Sequence, residues 1–170
     1  MEISGTYITK EERFSGLVAA YGQVIAKVCY LYASKSAPAD DLYQETLINL
    51  WQGIDSFRGQ ASVSTWIYRV ALNTCISFRR RHGRHDVPLP IESAVEVADD
   101  DSSADHAAAL REMYRLIGRL DPIDKAVVLL WLDERSYEEI SEITGLSKAN
   151  VATRLSRART RLANDPTKQI

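Results

Sequence analysis

The sequence predicts an all-α protein of two small helical domains joined by a flexible acidic linker, the second domain carrying a helix-turn-helix. Three observations predict it. Apolar residues recur in steps of three and four along most of the chain, and strand-like alternation bounded by turns is scarce. The stretch Gly83 to His106 lacks any period, contains Pro88 and Pro90, and is acidic. The expected divisions are therefore 1–83, 84–106 and 107–170.

Each element has its own signature. Phe14, Leu17, Tyr21, Val24, Val28 and Leu31 fall on one face of a first helix. A break follows at SKSAPAD, where Pro38 suits the first turn of a second helix. There Leu42, Thr46, Leu50 and Trp51 face inward, while Asp41, Gln44, Glu45 and Ile48 lie on another face; Gly53 and DSFRGQAS end it. A third helix, from about Ser64 to Arg81, buries Ile67, Val70, Ala71, Cys75 and Phe78 and presents a stripe of Trp66, Arg69, Asn73, Ser77 and Arg80. Beyond the linker the helical pattern resumes with Leu110, Met113, Ile117 and Leu120.

Asp121 then reads as an N-cap with Pro122 at the first helical position, and the run AVVLLWL, apolar all round, predicts a centrally buried helix. Ser136 with Glu139 forms a capping box that opens the next helix, from which Ile140 and Ile143 point inward. Gly145 can supply the positive φ of a tight turn, Leu146 plugs its corner, and Ser147 caps the helix that follows. On that last helix Val151, Leu155, Ala158 and Leu162 make an apolar seam, opposite Asn150, Arg154, Arg157 and Arg161.

Composition narrows the function classes. With 170 residues, 45% apolar and 26% charged, the chain is ordinary for a folded soluble protein. The longest apolar run, Ala126 to Leu132, is far below the roughly 20 residues of a membrane span, and the polar start MEISGTYITKEER has no signal region. The expectation is a cytoplasmic protein without membrane insertion. Cys29 and Cys75 are too few for a disulfide framework and read as buried thiols. Cys75, His82 and His85 lack a fourth ligand and paired spacing, so neither metal nor cofactor is expected. No phosphate-cradling glycine loop, paired-histidine motif or nucleophile signature points to an enzyme.

The formal net charge of -2 hides a segregated pattern. From Ser56 to His85 the charged residues are Arg58, Arg69, Arg79, Arg80, Arg81 and Arg84, with no acid; the stretch from Asp86 to Asp105 carries acids and no base. From Leu146 to Arg161 the sequence again offers only bases: Lys148, Arg154, Arg157, Arg159 and Arg161. Polyanion binding depends on such local clusters rather than on the total, so nucleic acid is not excluded.

Two kinds of nucleic-acid surface follow. In the helix-turn-helix, Lys148, Ala149, Asn150 and Thr153 lie nearest the start of the second helix, where base contacts arise, and the later arginines suit phosphates. An ordinary antiparallel helix pair with a solvated basic face is the plainer alternative. On the third helix the aromatic and basic stripe suits unstacked bases of a single strand, with Asn73 and the loop FRGQASVS placed to hold a flipped base. Trp66 has two readings here, a stacking or wedge residue and a core tryptophan filling a gap between helices.

At these residues the chain resembles a known family. DDLYQETLINLWQGIDSFRGQASVSTWIYRVALNTCISFRRR is similar to the second conserved region of bacterial extracytoplasmic function (ECF) sigma factors, and LDPIDKAVVLLWLDERSYEEISEITGLSKANVATRLSRARTRL to their fourth. The resemblance implies a transcription initiation factor that recruits core RNA polymerase to promoter DNA and helps open it, with no covalent chemistry of its own. By the same resemblance Asp41, Gln44, Glu45 and Ile48 would dock on the clamp helices of the largest polymerase subunit. Arg58, Gln60, Ser62, Trp66, Tyr68, Arg69, Asn73 and Arg80 would melt and read the -10 element. Ser147, Lys148, Asn150, Thr153, Arg154, Arg157 and Arg161 would read the -35 element, with neighbouring residues touching the polymerase flap. An anti-sigma factor that masks these surfaces is a further implied partner.

Some positions depart from the family pattern. Ser141 stands where the family often has alanine, which is expected to loosen that packing slightly, and Gln60 with Ala61 leaves the preferred -10 base unassigned. The linker acids have two readings, mimicry of nucleic acid and simple solubility in an extended segment. A conventional helix-turn-helix regulator would leave the DLYQE and TWIYRVALN stretches unexplained.

Overall fold

The computed structural model describes residues 8–82 and 104–165. It contains α1 (Lys10–Tyr32), α2 (Ala39–Gly53), α3 (Val63–His82), α4 (Ala104–Gly118), α5 (Pro122–Leu132), α6 (Tyr137–Thr144) and α7 (Lys148–Ala163), with no extended strand among the described residues. The fold class is that expected.

Local chemistry sets the boundaries. Thr9 opens α1 with a capping box: its hydroxyl accepts from the Glu12 N–H, and the Glu12 carboxylate accepts from the Thr9 N–H. Asp121 caps α5 by accepting from the N–H groups of Ile123 and Asp124, with Pro122 inside the first turn. Pro38 stands one residue ahead of α2, as its N-cap, rather than within its first turn.

Helices α1, α2 and α3 pack on one another, and α5, α6 and α7 do the same; α4 runs against α1 and α5, and α3 against α6. Ile25, Val28, Leu42, Leu50, Ile67 and Ala71 fill the first half, and Val127, Leu130, Ile140, Val151 and Leu155 the second. These side chains form one continuous apolar cluster rather than two. By length and composition alone α1 could cross a membrane, a test that core helices of soluble proteins also pass; its Ile25, Val28, Cys29, Leu31 and Tyr32 are buried in this cluster.

Two expectations are corrected. Ala104 to His106, expected to close the linker, already belong to α4. The helix α5 is not buried all round: Ala126 to Leu130 are, but Trp131 and Leu132 are each 38% exposed, while the charged Asp124 and Lys125 are buried instead. The pattern of a uniformly apolar run cannot show which end of a short helix leaves the core. Residues 83–103, including most of the expected acidic linker, lie outside the described residues.

Candidate nucleic-acid interface

The helix-turn-helix is built as its residues require. Ser136 and Glu139 close a reciprocal capping box, the serine hydroxyl accepting at 3.1 Å and the carboxylate at 2.8 Å. Gly145 ends α6 at φ 77°, a left-handed conformation in which a β-carbon would be strained. Ser141 does not slacken the turn: its hydroxyl donates to the Leu146 carbonyl at 2.5 Å, tying the corner from inside. Ser147 caps α7 by accepting from the Asn150 N–H. Val151, Leu155 and Ala158 are buried, which turns Lys148, Asn150, Thr153, Arg157 and Arg161 outward.

The bases of this element are less unopposed than the sequence suggests. Lys148 pairs with Glu138 of α6 at 2.5 Å, and that ammonium holds the glutamate carboxyl below its usual range. Arg154 is half-buried and turns inward to Asp124 (2.8 Å) and Asp121 (3.9 Å). Burial alone would raise the Asp121 carboxyl, but hydrogen bonds from Asp124 and Ile123 and the Arg154 charge outweigh it and leave the group below the usual range. The charge pattern along the chain misses these partners because they come from preceding helices. Arg157 and Arg161 have no such partner among the described contacts, which leaves two cations beside Asn150 and Thr153 on the open face.

In the first half, Leu42, Thr46 and Leu50 anchor α2, so Asp41, Gln44 and Ile48 are exposed and Glu45 half-exposed, 4.0 Å from Arg81. An isoleucine 49% exposed among carboxylates is the kind of apolar surface that a partner covers.

The loop before α3 places Arg58, Gln60 and Ser62 in solvent, with Gly59 at φ 70°. Ser62 also has a structural duty, accepting from the Thr65 N–H at 3.1 Å at the start of α3. The Trp66 ring is partly exposed; one face stacks on Phe57 (centroids 4.9 Å apart, 27°), and a β-carbon at Gly53 would lie 3.2 Å from it. Asn73 and Arg80 are exposed on the same helix. Tyr68 and Arg69 are not free. Tyr68 is 2% exposed and donates its hydroxyl to Asp133; burial, reinforced by that carboxylate, pushes the phenol well above its ordinary range. Arg69 donates to the Glu142 carbonyl of α6 at 2.7 Å.

Sequence reasoning missed the residues that bring the halves together. Lys27 pairs with the same Asp133 carboxylate. The Tyr32 hydroxyl donates to the Pro122 carbonyl at 2.5 Å, and buried Lys125 points at the Leu31 carbonyl (3.5 Å) and the Tyr32 ring (5.1 Å). Only the charged pair Asp124–Lys125 set directly against the apolar run AVVLLWL could have signalled this.

Comparison with known proteins assigns both halves to one family. The family described as Sigma-70 region 2 matches residues 17–85, and that described as Sigma-70, region 4 matches residues 110–162, together well over half of the chain. The ECF RNA polymerase sigma factor SigM of Mycobacterium tuberculosis is 29% identical over 152 residues, covering 88% of this chain and 75% of that protein. The ECF RNA polymerase sigma-E factor of Escherichia coli K12 is 29% identical over 171 residues, covering 91% and 86%. Among solved structures, CnrH in complex with the cytosolic domain of CnrY superposes with a TM-score of 0.63 at 25% identity over 90% of this chain and 86% of that one. The sigma factor RpoE of Bartonella quintana, in complex with the anti-sigma factor NepR, has the same fold, with a TM-score of 0.68 at 23% identity over 89% and 94%.

Proposed function

The chain belongs to the ECF sigma factors of the sigma-70 family, and on that footing we propose how its surfaces divide the work of transcription initiation. It binds core RNA polymerase, directs it to specific promoters and promotes DNA opening. The observation that carries this reading is two differently built exposed faces in one chain, one on α3 and one on α7, lying within the family's regions 2 and 4 in that order. The outward face of α7 has the amide and guanidinium groups that duplex grooves and phosphates need. The loop and stripe of α3 have the ring and polar groups that an unpaired strand needs.

Asp41, Gln44, Glu45 and Ile48 form the polymerase-docking patch, on the clamp helices of the largest subunit. Arg58, Gln60, Ser62, Trp66, Tyr68, Arg69, Asn73 and Arg80 form the -10 surface. Ser147, Lys148, Asn150, Thr153, Arg157 and Arg161 form the -35 surface. Arg154, turned inward on Asp124, contributes to the latter by fixing α7 rather than by touching DNA. The protein acts where polymerase acts, in the cytoplasm, as a regulatory subunit whose chemistry is done by polymerase. Group membership also leads us to expect an anti-sigma partner.

The test is co-elution with bacterial core RNA polymerase on a sizing column, with wild type beside a folded Asp41→Lys, Glu45→Lys double variant. Binding by wild type and its loss in the variant is the expected outcome. Failure of wild type to bind would return the helix-turn-helix to a conventional regulator.

A further inference from the structure

The segment between α2 and α3 is anchored at both ends and bare in the middle. Ile54 is buried, and the N–H groups of Ser56 and Phe57 both donate to the Gly53 carbonyl, which winds this stretch into a turn. The turn aims Asp55 at the start of α1, where its carboxylate accepts from Lys10 at 2.9 Å and Arg13 at 2.6 Å. Hydrogen bonds from those two cations hold the Asp55 carboxyl below its usual range. Lys10 also lies over the Trp51 ring at 4.4 Å, and that ring meets Phe14 edge-on at 5.3 Å, so charge and aromatic packing fix the same corner. Just past Asp55, Phe57 stacks on Trp66, and at the far end Ser62 is tied to Thr65 at the start of α3. Between these anchors the Arg58 and Gln60 side chains have no partner among the described contacts.

We infer that Asp55 is a positioning residue for reading the opened strand: it fastens to α1 the turn from which Phe57 meets Trp66 and Arg58, Gly59 and Gln60 leave for solvent. The inference rests on the proposed reading of this loop and of α3 as the -10 surface. A loop whose side chains hold nothing takes its shape from its ends, and Asp55 is the end that charge sets. Its side chain is 56% exposed, and one ion pair at such a site contributes little. Two cations on the opening turns of α1, one of them seated on a ring, make a network instead. Asp55 carries the wrong charge to touch a phosphate, so its effect passes through the residues it places. Without the anchor the ring and polar groups are all present but loosely held, which lowers discrimination between bases more than it lowers binding.

The test uses the full chain bound to bacterial core RNA polymerase, wild type beside Asp55→Ala and a Lys10→Ala, Arg13→Ala double variant. None of these residues lies in the proposed DNA or polymerase surfaces. The probe is a pool of single-stranded DNA randomised at its centre: filter retention gives affinity, and sequencing of the retained strands gives base preference against core polymerase alone. Thermal unfolding by circular dichroism and co-elution on a sizing column check fold and assembly. Both variants should melt and co-elute as wild type does, yet enrich the favoured base about fivefold less. Wild-type preference kept in Asp55→Ala overturns the positioning role and leaves the -10 reading standing. Loss confined to Asp55→Ala separates the residue from its anchor and overturns it as well. Affinity that rises for Asp55→Ala and falls for the double variant, with preference kept, is a bare charge effect and does the same. Lower melting temperatures or lost co-elution in both variants make the cluster an element of the fold, against the proposal. A wild type with no preference beyond that of core polymerase removes the -10 reading itself, and the proposal with it.

Discussion

Lys125→Met should stabilise the protein at neutral pH although it removes a charge, a hydrogen-bond donor and a ring contact. Lys125 is 1% exposed. Burial, reinforced by the Arg79 charge and only partly opposed by Asp121, pushes its ammonium down from 10.5 to about 8. That gap corresponds to about 3 kcal/mol of charge burial. Methionine keeps most of the unbranched stem and needs no desolvation, but loses the contact with the Tyr32 ring, a term of about 0.5–2 kcal/mol. The net gain at pH 7 is about 1–3 kcal/mol, or a melting temperature higher by about 2–4 °C per kcal/mol in a chain of this size.

The sign fixes the pH dependence. Between about 8 and 10.5 the unfolded chain holds the Lys125 proton and the folded chain does not, so wild-type stability from this group rises with pH across that window and the burial penalty is full below it. The advantage of Lys125→Met should therefore be largest at pH 7 and shrink toward pH 10. Thermal unfolding by circular dichroism at pH 7, 8, 9 and 10 reads it directly. A variant less stable than wild type at pH 7, or a difference constant with pH, would refute the reasoning.

Arg154→Ala should destabilise the chain by about 2–4 kcal/mol in urea unfolding, because it leaves the Asp124 carboxylate buried without its cation. Arg157→Ala should leave stability within about 0.5 kcal/mol of wild type, while weakening duplex binding on all sequences and flattening its salt dependence. Asn150→Ala should instead shift preference among promoter sequences, as a competition binding assay would show. Trp66→Ala should retain polymerase binding and lose promoter opening, followed by permanganate reactivity of unpaired thymines. Normal opening would assign the ring wholly to its packing on Phe57.

Most of the fold is legible in the sequence because its signals are local. The Ser136–Glu139 box, the Asp121–Pro122 start and Gly145 each act within a few residues, and each is found where the residues place it. The outward placement of Asn150 and Arg157 follows from helical period alone. What stays hidden is long-range. The inward turn of Arg154 depends on Asp124, thirty residues earlier, and the burial of Tyr68 depends on Asp133, sixty-five residues later. A period of three and four marks Tyr68 as off the stripe, but cannot say that the other half covers it.

The apolar cluster that runs unbroken through both halves makes them resemble two subunits on a single tether. Tethering turns their association into an intramolecular event at an effective concentration on the order of millimolar. An interface far too weak to pair separate chains would then remain assembled, and a longer tether would weaken it without altering any contact. The length of the segment between α3 and α4 thus becomes a setting for how readily the two halves part, adjustable by insertion or deletion without changing any contact between them.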